Sequence, residues 1–138
     1  MTEYDKKLEK LQKEFIEINR KRANKWQFKS HQQAIYDFVI KSQRQTSFNV
    51  KDYNITLKVG NEDFGFMHFL LGHYGEECPG EITAKDILNI GNVINNDISL
   101  PTEKGKKKFT QSKGDYNYIV ILSKRKDGDL VISFFSSK

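Results

Sequence analysis

The dipeptide Asp127-Gly128, set between two apolar and β-branched runs, constrains the fold of this chain more than any other feature. Tyr118, Ile119, Val120, Ile121 and Leu122 precede it, Leu130, Val131 and Ile132 follow it, and Lys126-Asp127-Gly128-Asp129 lies between. Asp-Gly supplies the left-handed backbone that a tight hairpin turn requires, so residues 116–123 and 130–136 are predicted to pair as antiparallel strands. Both runs are apolar at successive positions, which places them centrally in a sheet covered by helices on one side. Residues 107–111 read as another strand. So do Ile55, Leu57 and Val59, which alternate with Asn54, Thr56 and Lys58 before Gly60-Asn61 ends the run.

The amino-terminal third has a different period. Tyr4, Leu8, Leu11, Phe15 and Ile18 fall on one helical stripe among Lys and Glu. Arg20, Lys21, Arg22 and Lys25 follow, where cations suit the negative end of a helix dipole. Ser30 as N-cap with Gln33 three residues later predicts a second helix through Ala34, Ile35, Phe38 and Val39, with His31 facing solvent in its first turn. Phe66, Phe69, Leu70 and Tyr74 recur at helical spacing, ended by Gly75 and a Cys78-Pro79-Gly80 turn. Thr83 followed by Asp86 caps a shorter helix carrying Ile87, Ile90, Val93 and Ile94, which Asn95-Asn96-Asp97 stops. The expected class is α+β: N-terminal helices followed by a twisted antiparallel sheet of three to five strands with a C-terminal hairpin. No repeat or linker divides residues 1–138, so a single domain is expected, with residues 1–29 as its most separable part.

Charge is unevenly distributed. Residues 1–50 carry 11 basic and 6 acidic side chains, residues 51–103 carry 3 and 9, and residues 104–138 carry 9 and 3, for a total of +5. Two basic ends around an acidic middle can form a face that holds phosphates, although solvated lysines alone produce the same count. The lone Cys78 forms no internal disulfide, no apolar run approaches the roughly 18 residues of a membrane span, and the first residues are too charged for a secretory signal. A soluble, cytoplasmic protein without membrane partners is the expectation.

The candidate chemistry lies in Gly65-Phe66-Met67-His68-Phe69-Leu70-Leu71-Gly72-His73-Tyr74, which holds two of the three histidines. Five positions apart is about 140° around a helix, so the two rings occupy adjacent faces that can border one cleft. Two imidazoles can share the base and acid steps of RNA transesterification without a metal or other cofactor. Lys106, Lys107, Lys108 and Thr110 are the candidates for holding RNA phosphate, and Ser133 is a hydroxyl on the last strand. The same histidines also suit plain structural roles, His68 packed beside Phe69 and Leu70 and His73 at the helix end. A zinc site from His68, His73, Cys78 and Glu76 or Glu77 lacks the usual ligand spacing and a second ordered pair.

The order G-x-x-H-h-x-x-x-H from Gly65 to His73, then Ile82-Thr83-Ala84-Lys85-Asp86-Ile87, a short helix, and two final strands ending Ser133-Phe134-Phe135 resembles the barnase, EndoU, colicin and RelE-like (BECR) toxin RNases, particularly prophage and polymorphic-toxin versions. The resemblance spans residues 60–136. It implies a BECR-like nuclease core over residues 52–138 and a helical extension over residues 1–51. His73 matches the characteristic histidine, His68 its companion, and Ser133 the last-strand hydroxyl, where Thr followed by Tyr is more typical.

The function expected is a metal-independent endoribonuclease toxin or phage effector that cleaves RNA, with tRNA one candidate substrate, by 2′-hydroxyl attack. The catalytic set is His68, His73 and Ser133, no cofactor is required, and an immunity or antitoxin protein is an expected partner. Two non-enzymatic functions suit the same residues: a phage or mobile-element protein that binds nucleic acid or a host protein through its basic ends, and an inhibitor or adaptor that presents the helix from Tyr4 to Ile18.

Overall fold

The computed structural model describes residues 1–22, 24–75 and 80–138. Its elements run α1 (Glu3–Arg22), α2 (Ser30–Ile40), β1 (Gln45–Val50), β2 (Tyr53–Lys58), α3 (Phe66–His73), α4 (Ala84–Leu88), α5 (Ile90–Asn95), β3 (Ile98–Ser99), β4 (Lys106–Lys113), β5 (Tyr116–Arg125) and β6 (Gly128–Ser137). The class is α+β, with six strands rather than three to five, in the order β1-β2-β6-β5-β4-β3. One junction is parallel: β2 meets β6 through Ile55 opposite Asp129 and Thr56 opposite Leu130, so the sheet is mixed.

The hairpin forms between β5 and β6, with Tyr118 opposite Ser136 and Arg125 opposite Gly128. Its turn is therefore Lys126-Asp127, one residue earlier than the Asp-Gly motif indicates. Gly128 has φ +132°, and a Cβ there would lie 2.5 Å from the Asn54 carbonyl oxygen. Glycine is needed for the close passage of β2 as much as for the turn.

Helix caps follow local chemistry. Thr83 accepts from the Asp86 amide at 3.3 Å while its own amide donates to the Asp86 carboxylate at 2.8 Å, a reciprocal cap. The segment after it is two short helices broken at Asn89 instead of one. At α2 the cap lies one residue earlier than the Ser30/Gln33 pattern indicates, because the Lys29 amide donates to Gln32 Oε1 at 2.8 Å. His31 is a correction. It is 8 % exposed, not solvent-facing, with its ring against Gly91 of α5. Cys78, Pro79 and the acidic pair Glu76 and Glu77 lie outside the described residues.

One hydrophobic core joins helices to sheet. Leu11 and Phe15 of α1, Ile35 and Phe38 of α2, and Phe66, Phe69 and Leu70 of α3 meet Ile55, Leu57, Val120, Leu122 and Phe134, all essentially inaccessible to solvent. Residues 1–51 thus supply α1, α2 and the strand β1. The apolar stripe of α1, which an adaptor would have to present, is spent inside this core. No described helix is long and apolar enough to cross a membrane.

Alternation gives the sheet two unlike faces. Phe48, Val50, Ile55 and Leu57 point into the core, whereas Ser47, Asn49, Asn54 and Lys58 between them point away and are exposed. Across the centre, Thr110, Ile119 and Phe135 make one cross-strand row and Lys108, Ile121 and Ser133 the next. None of these six belongs to the core cluster. No described helix packs on this second face.

Candidate functional site

Helix α3 sets the positions of the two histidines, and its placement is held by α1 at two points and by the sheet at a third. Lys7 of α1 is 8 % exposed and donates to the Leu71 carbonyl at 2.9 Å and to the Leu70 carbonyl at 3.4 Å, near the end of α3. Tyr74, just past that end, donates its hydroxyl to the Glu14 carboxylate; burial foremost, then that carboxylate, raises the phenol well above its ordinary value. From the sheet side, Phe69 packs edge-on against Phe134 at 5.9 Å.

The His68 and His73 rings lie 6.5 Å apart at 83°, so the adjacent-face expectation describes the geometry. His68 Nδ1 is 2.8 Å from the Glu62 carbonyl oxygen. A carbonyl only accepts, so Nδ1 carries the proton, and in the neutral ring Nε2 is left as the basic nitrogen. His73 leans against Phe135 at 5.7 Å and 30°. It therefore stands at the end of the Thr110–Ile119–Phe135 row, where β2 has already diverged from β6 and the strand edge is open.

That edge is partly closed by the segment from Gly80. Ser136 N donates to the Gly80 carbonyl at 3.2 Å, Ser136 Oγ to the Glu81 carbonyl at 2.6 Å, and Ile82 N to the His73 carbonyl at 2.8 Å. Gly80 has φ +83°, and a Cβ there would sit 2.7 Å from His73 Nδ1. No larger residue fits between the imidazole and the strand. Beside them opens a cleft of about 970 Å³, lined by His73, Phe135, Tyr116, Tyr118, Asp86 and Lys138 among others. Burial first, and then the Asp86 carboxylate to which it hydrogen-bonds, raises the Tyr118 hydroxyl above its usual value. The cap of α4 thus also fixes an aromatic wall of the cleft.

The candidate phosphate ligands divide between the two faces. Lys108, Thr110 and Ser133 share the helix-free face, Lys108 and Ser133 in one row separated by Ile121. Lys106 lies on the same face beside Ser123 and makes an exposed ion pair with Glu103 at 3.4 Å. Lys107 does not join them. It points to the core side, 3.0 Å from the buried Asp129 carboxylate and over the Tyr53 ring at 4.7 Å. Phe135, Gly80, Tyr116, Tyr118 and Asp86 are not among the site residues expected from sequence; alternation from Ser133 alone identifies Phe135 as its face-mate, but the others are brought in by tertiary contacts.

Among the described residues no group of three or more His, Cys, Asp or Glu is arranged to hold a metal ion. Comparison with protein-family models, with curated proteins and with solved structures finds no match.

Proposed function

We propose that this protein is a metal-independent endoribonuclease whose general base and acid are His68 and His73. The observation that carries the proposal is the pair of imidazoles 6.5 Å apart at the rim of a sheet face bearing Lys108, Thr110 and Ser133. Each proton transfer needs a nitrogen within about 3 Å of its oxygen, and this spacing leaves room for a phosphodiester between the rings. His68 Nε2 takes the proton from a ribose 2′-hydroxyl as that oxygen bonds to phosphorus. His73 protonates the departing 5′-oxygen as the P–O5′ bond breaks, leaving a 2′,3′-cyclic phosphate and a 5′-hydroxyl. Ser133, on the strand nearest the histidines, donates a hydrogen bond to the phosphoryl oxygens, while Lys108 and Thr110, two strands further across the same face, hold the neighbouring phosphates of the chain. Phe135, Tyr118 and Tyr116 offer rings on which unpaired bases can stack.

The BECR resemblance extends this activity to a toxin or phage effector acting on cellular RNA and held in check by an immunity or antitoxin protein. The decisive assay is cleavage of a defined RNA in the presence of chelator. Wild type is expected to yield cyclic-phosphate ends, with a rate lowered about 10²- to 10⁴-fold in His73→Ala or His68→Ala. Growth arrest on expression, relieved by His73→Ala, tests the effector role. Folded His73→Ala protein that cleaves as fast as wild type refutes the assignment and leaves an RNA-binding face without catalysis.

A further inference from the structure

A second concavity, about 430 Å³, lies on the same helix-free face at the β1-β2-β6 end, lined by Gln45, Ser47, Thr56, Lys58, Arg125 and Leu130 together with Asn54 and the turn from Asp127 to Asp129. We propose that it is a subsite for single-stranded RNA, binding nucleotides of the strand whose scissile phosphate lies at the histidines. The inference rests on the ribonuclease proposal and adds to it the form of the substrate: an extended single strand lying across the sheet.

Three observations support it. Leu130 in the floor of the second hollow and Phe135 beside His73 lie on one strand and on the same face of the sheet, about 16 Å apart at ordinary strand rise. Between them lies the row Lys108–Ile121–Ser133, and Lys106 and Ser123 flank Leu130, so a strand of RNA crossing the gap meets hydroxyls and ammonium groups. The cations at the far end are not neutralised in pairs: neither Lys58 nor Arg125 is ion-paired among the described residues, the buried Asp129 is already taken by Lys107, and Asp127 is the one other carboxylate in the lining. Two such cations on an exposed rim suit two phosphates of a flexible backbone.

Inside the hollow the polar groups suit a base edge. Asn54 Nδ2 donates to the Asp127 carbonyl at 2.7 Å, which fixes that amide and leaves its oxygen as an acceptor. Gln45 supplies both a donor and an acceptor from the neighbouring strand, and the Asp127 carboxylate adds an acceptor at the rim. Ser47 and Thr56 hydroxyls pair at 3.2 Å across the floor. Such contacts read bases only when the Watson–Crick edge is unpaired, so the ligand is a single strand and not a duplex.

The test uses the full chain and fluorescent 2′-O-methyl oligoribonucleotides, which lack the attacking hydroxyl and so separate binding from cleavage. By anisotropy a nonamer is expected to bind at least about 10-fold tighter than a trimer, because only the longer strand spans both hollows. In Lys58→Ala/Arg125→Ala that ratio should fall toward one, and the slope of log affinity against log salt should drop by about 1.4, two phosphates at roughly 0.7 each. Thermal unfolding confirms that the variant is folded; Lys58→Gln/Arg125→Gln serves if it is not. Equal affinities for the two lengths, or a variant that binds the nonamer like wild type, overturn the subsite. If that happens while wild type still cleaves RNA, the ribonuclease proposal survives alone. A nonamer held through Lys58 and Arg125 by a protein that cleaves nothing keeps the subsite and removes the nuclease.

Discussion

Lys7→Met removes the ammonium by which α1 holds the histidine helix. Methionine keeps most of the aliphatic stem and removes the ammonium, which is 2.9 Å from the Leu71 carbonyl oxygen and 3.4 Å from that of Leu70. The Leu70 carbonyl retains a second donor, the Tyr74 amide at 3.3 Å, so Leu71 suffers the larger loss. A hydrogen bond to a charged group contributes about 1.5–3 kcal/mol, and the cation near a helix C-terminus adds a few tenths to about 1 kcal/mol. The hydrogen-bond figure is already net of the cost of taking the ammonium out of water. The expected net loss is about 2 kcal/mol, read in urea titration as a midpoint lower by about 1 M at the usual slopes. Lys6→Met, one position away on the exposed side of α1, should leave the midpoint where it is. If the two variants unfold at the same urea concentration, Lys7 does not tie α1 to α3 and the account of how His73 is positioned is wrong.

Three further outcomes follow from buried contacts. Burial and, secondarily, Lys29 lower the His31 pKa, so the unfolded chain takes up that proton first; stability should therefore fall as pH drops below about 6.5, by at most about 1.4 kcal/mol per unit, and His31→Gln should flatten the profile. Gly91→Ala places a Cβ 2.4 Å from His31 Nδ1 and should destabilise by about 1–3 kcal/mol despite its better helix propensity, with His31→Ala relieving the clash in a double-mutant cycle. Lys107→Ala strands the 6 %-exposed Asp129 and should cost about 3 kcal/mol in chemical denaturation, whereas Lys108→Ala on the open face should change stability by less than about 0.5 kcal/mol.

Local signals in the sequence translated well into structure. The Thr83/Asp86 cap forms as the motif requires, and the apolar stripe from Tyr4 to Ile18 is the buried side of α1, because both depend on residues within a few positions of each other. What could not be read locally was set by distant partners. The strand β1 has only Phe48 and Val50 as buried positions and gains its pairing from β2. The parallel contact of β2 with β6 has no local signature. A first-turn position predicts a solvent-facing His31, but Gly91 leaves a recess that its ring fills. The lysine run divides only through the burial of its neighbour: Phe109 is buried, so Lys107 shares the core side with it and Lys106 and Lys108 take the other. At the candidate site, the two histidines were legible from their spacing, while the Tyr118–Asp86 wall and the second hollow exist only once remote segments are folded together.

The sheet order has a consequence for how the chain acquires this shape. The strand β6 is the last element in sequence, yet it lies between β2 and β5 and joins the β1–β2 ribbon to the β3–β4–β5 ribbon. As synthesis proceeds past Lys58, the first ribbon must wait for the stretch up to Gly128 before its parallel neighbour exists, and loop closure of that span precedes any gain from the contact. Until then both ribbons carry an unfilled edge, the condition under which strands of different molecules pair with one another. The open face that bears His73, Ser133 and Lys58 is assembled only when β6 enters, so a nascent chain lacking that strand holds all the earlier elements and none of the combined surface.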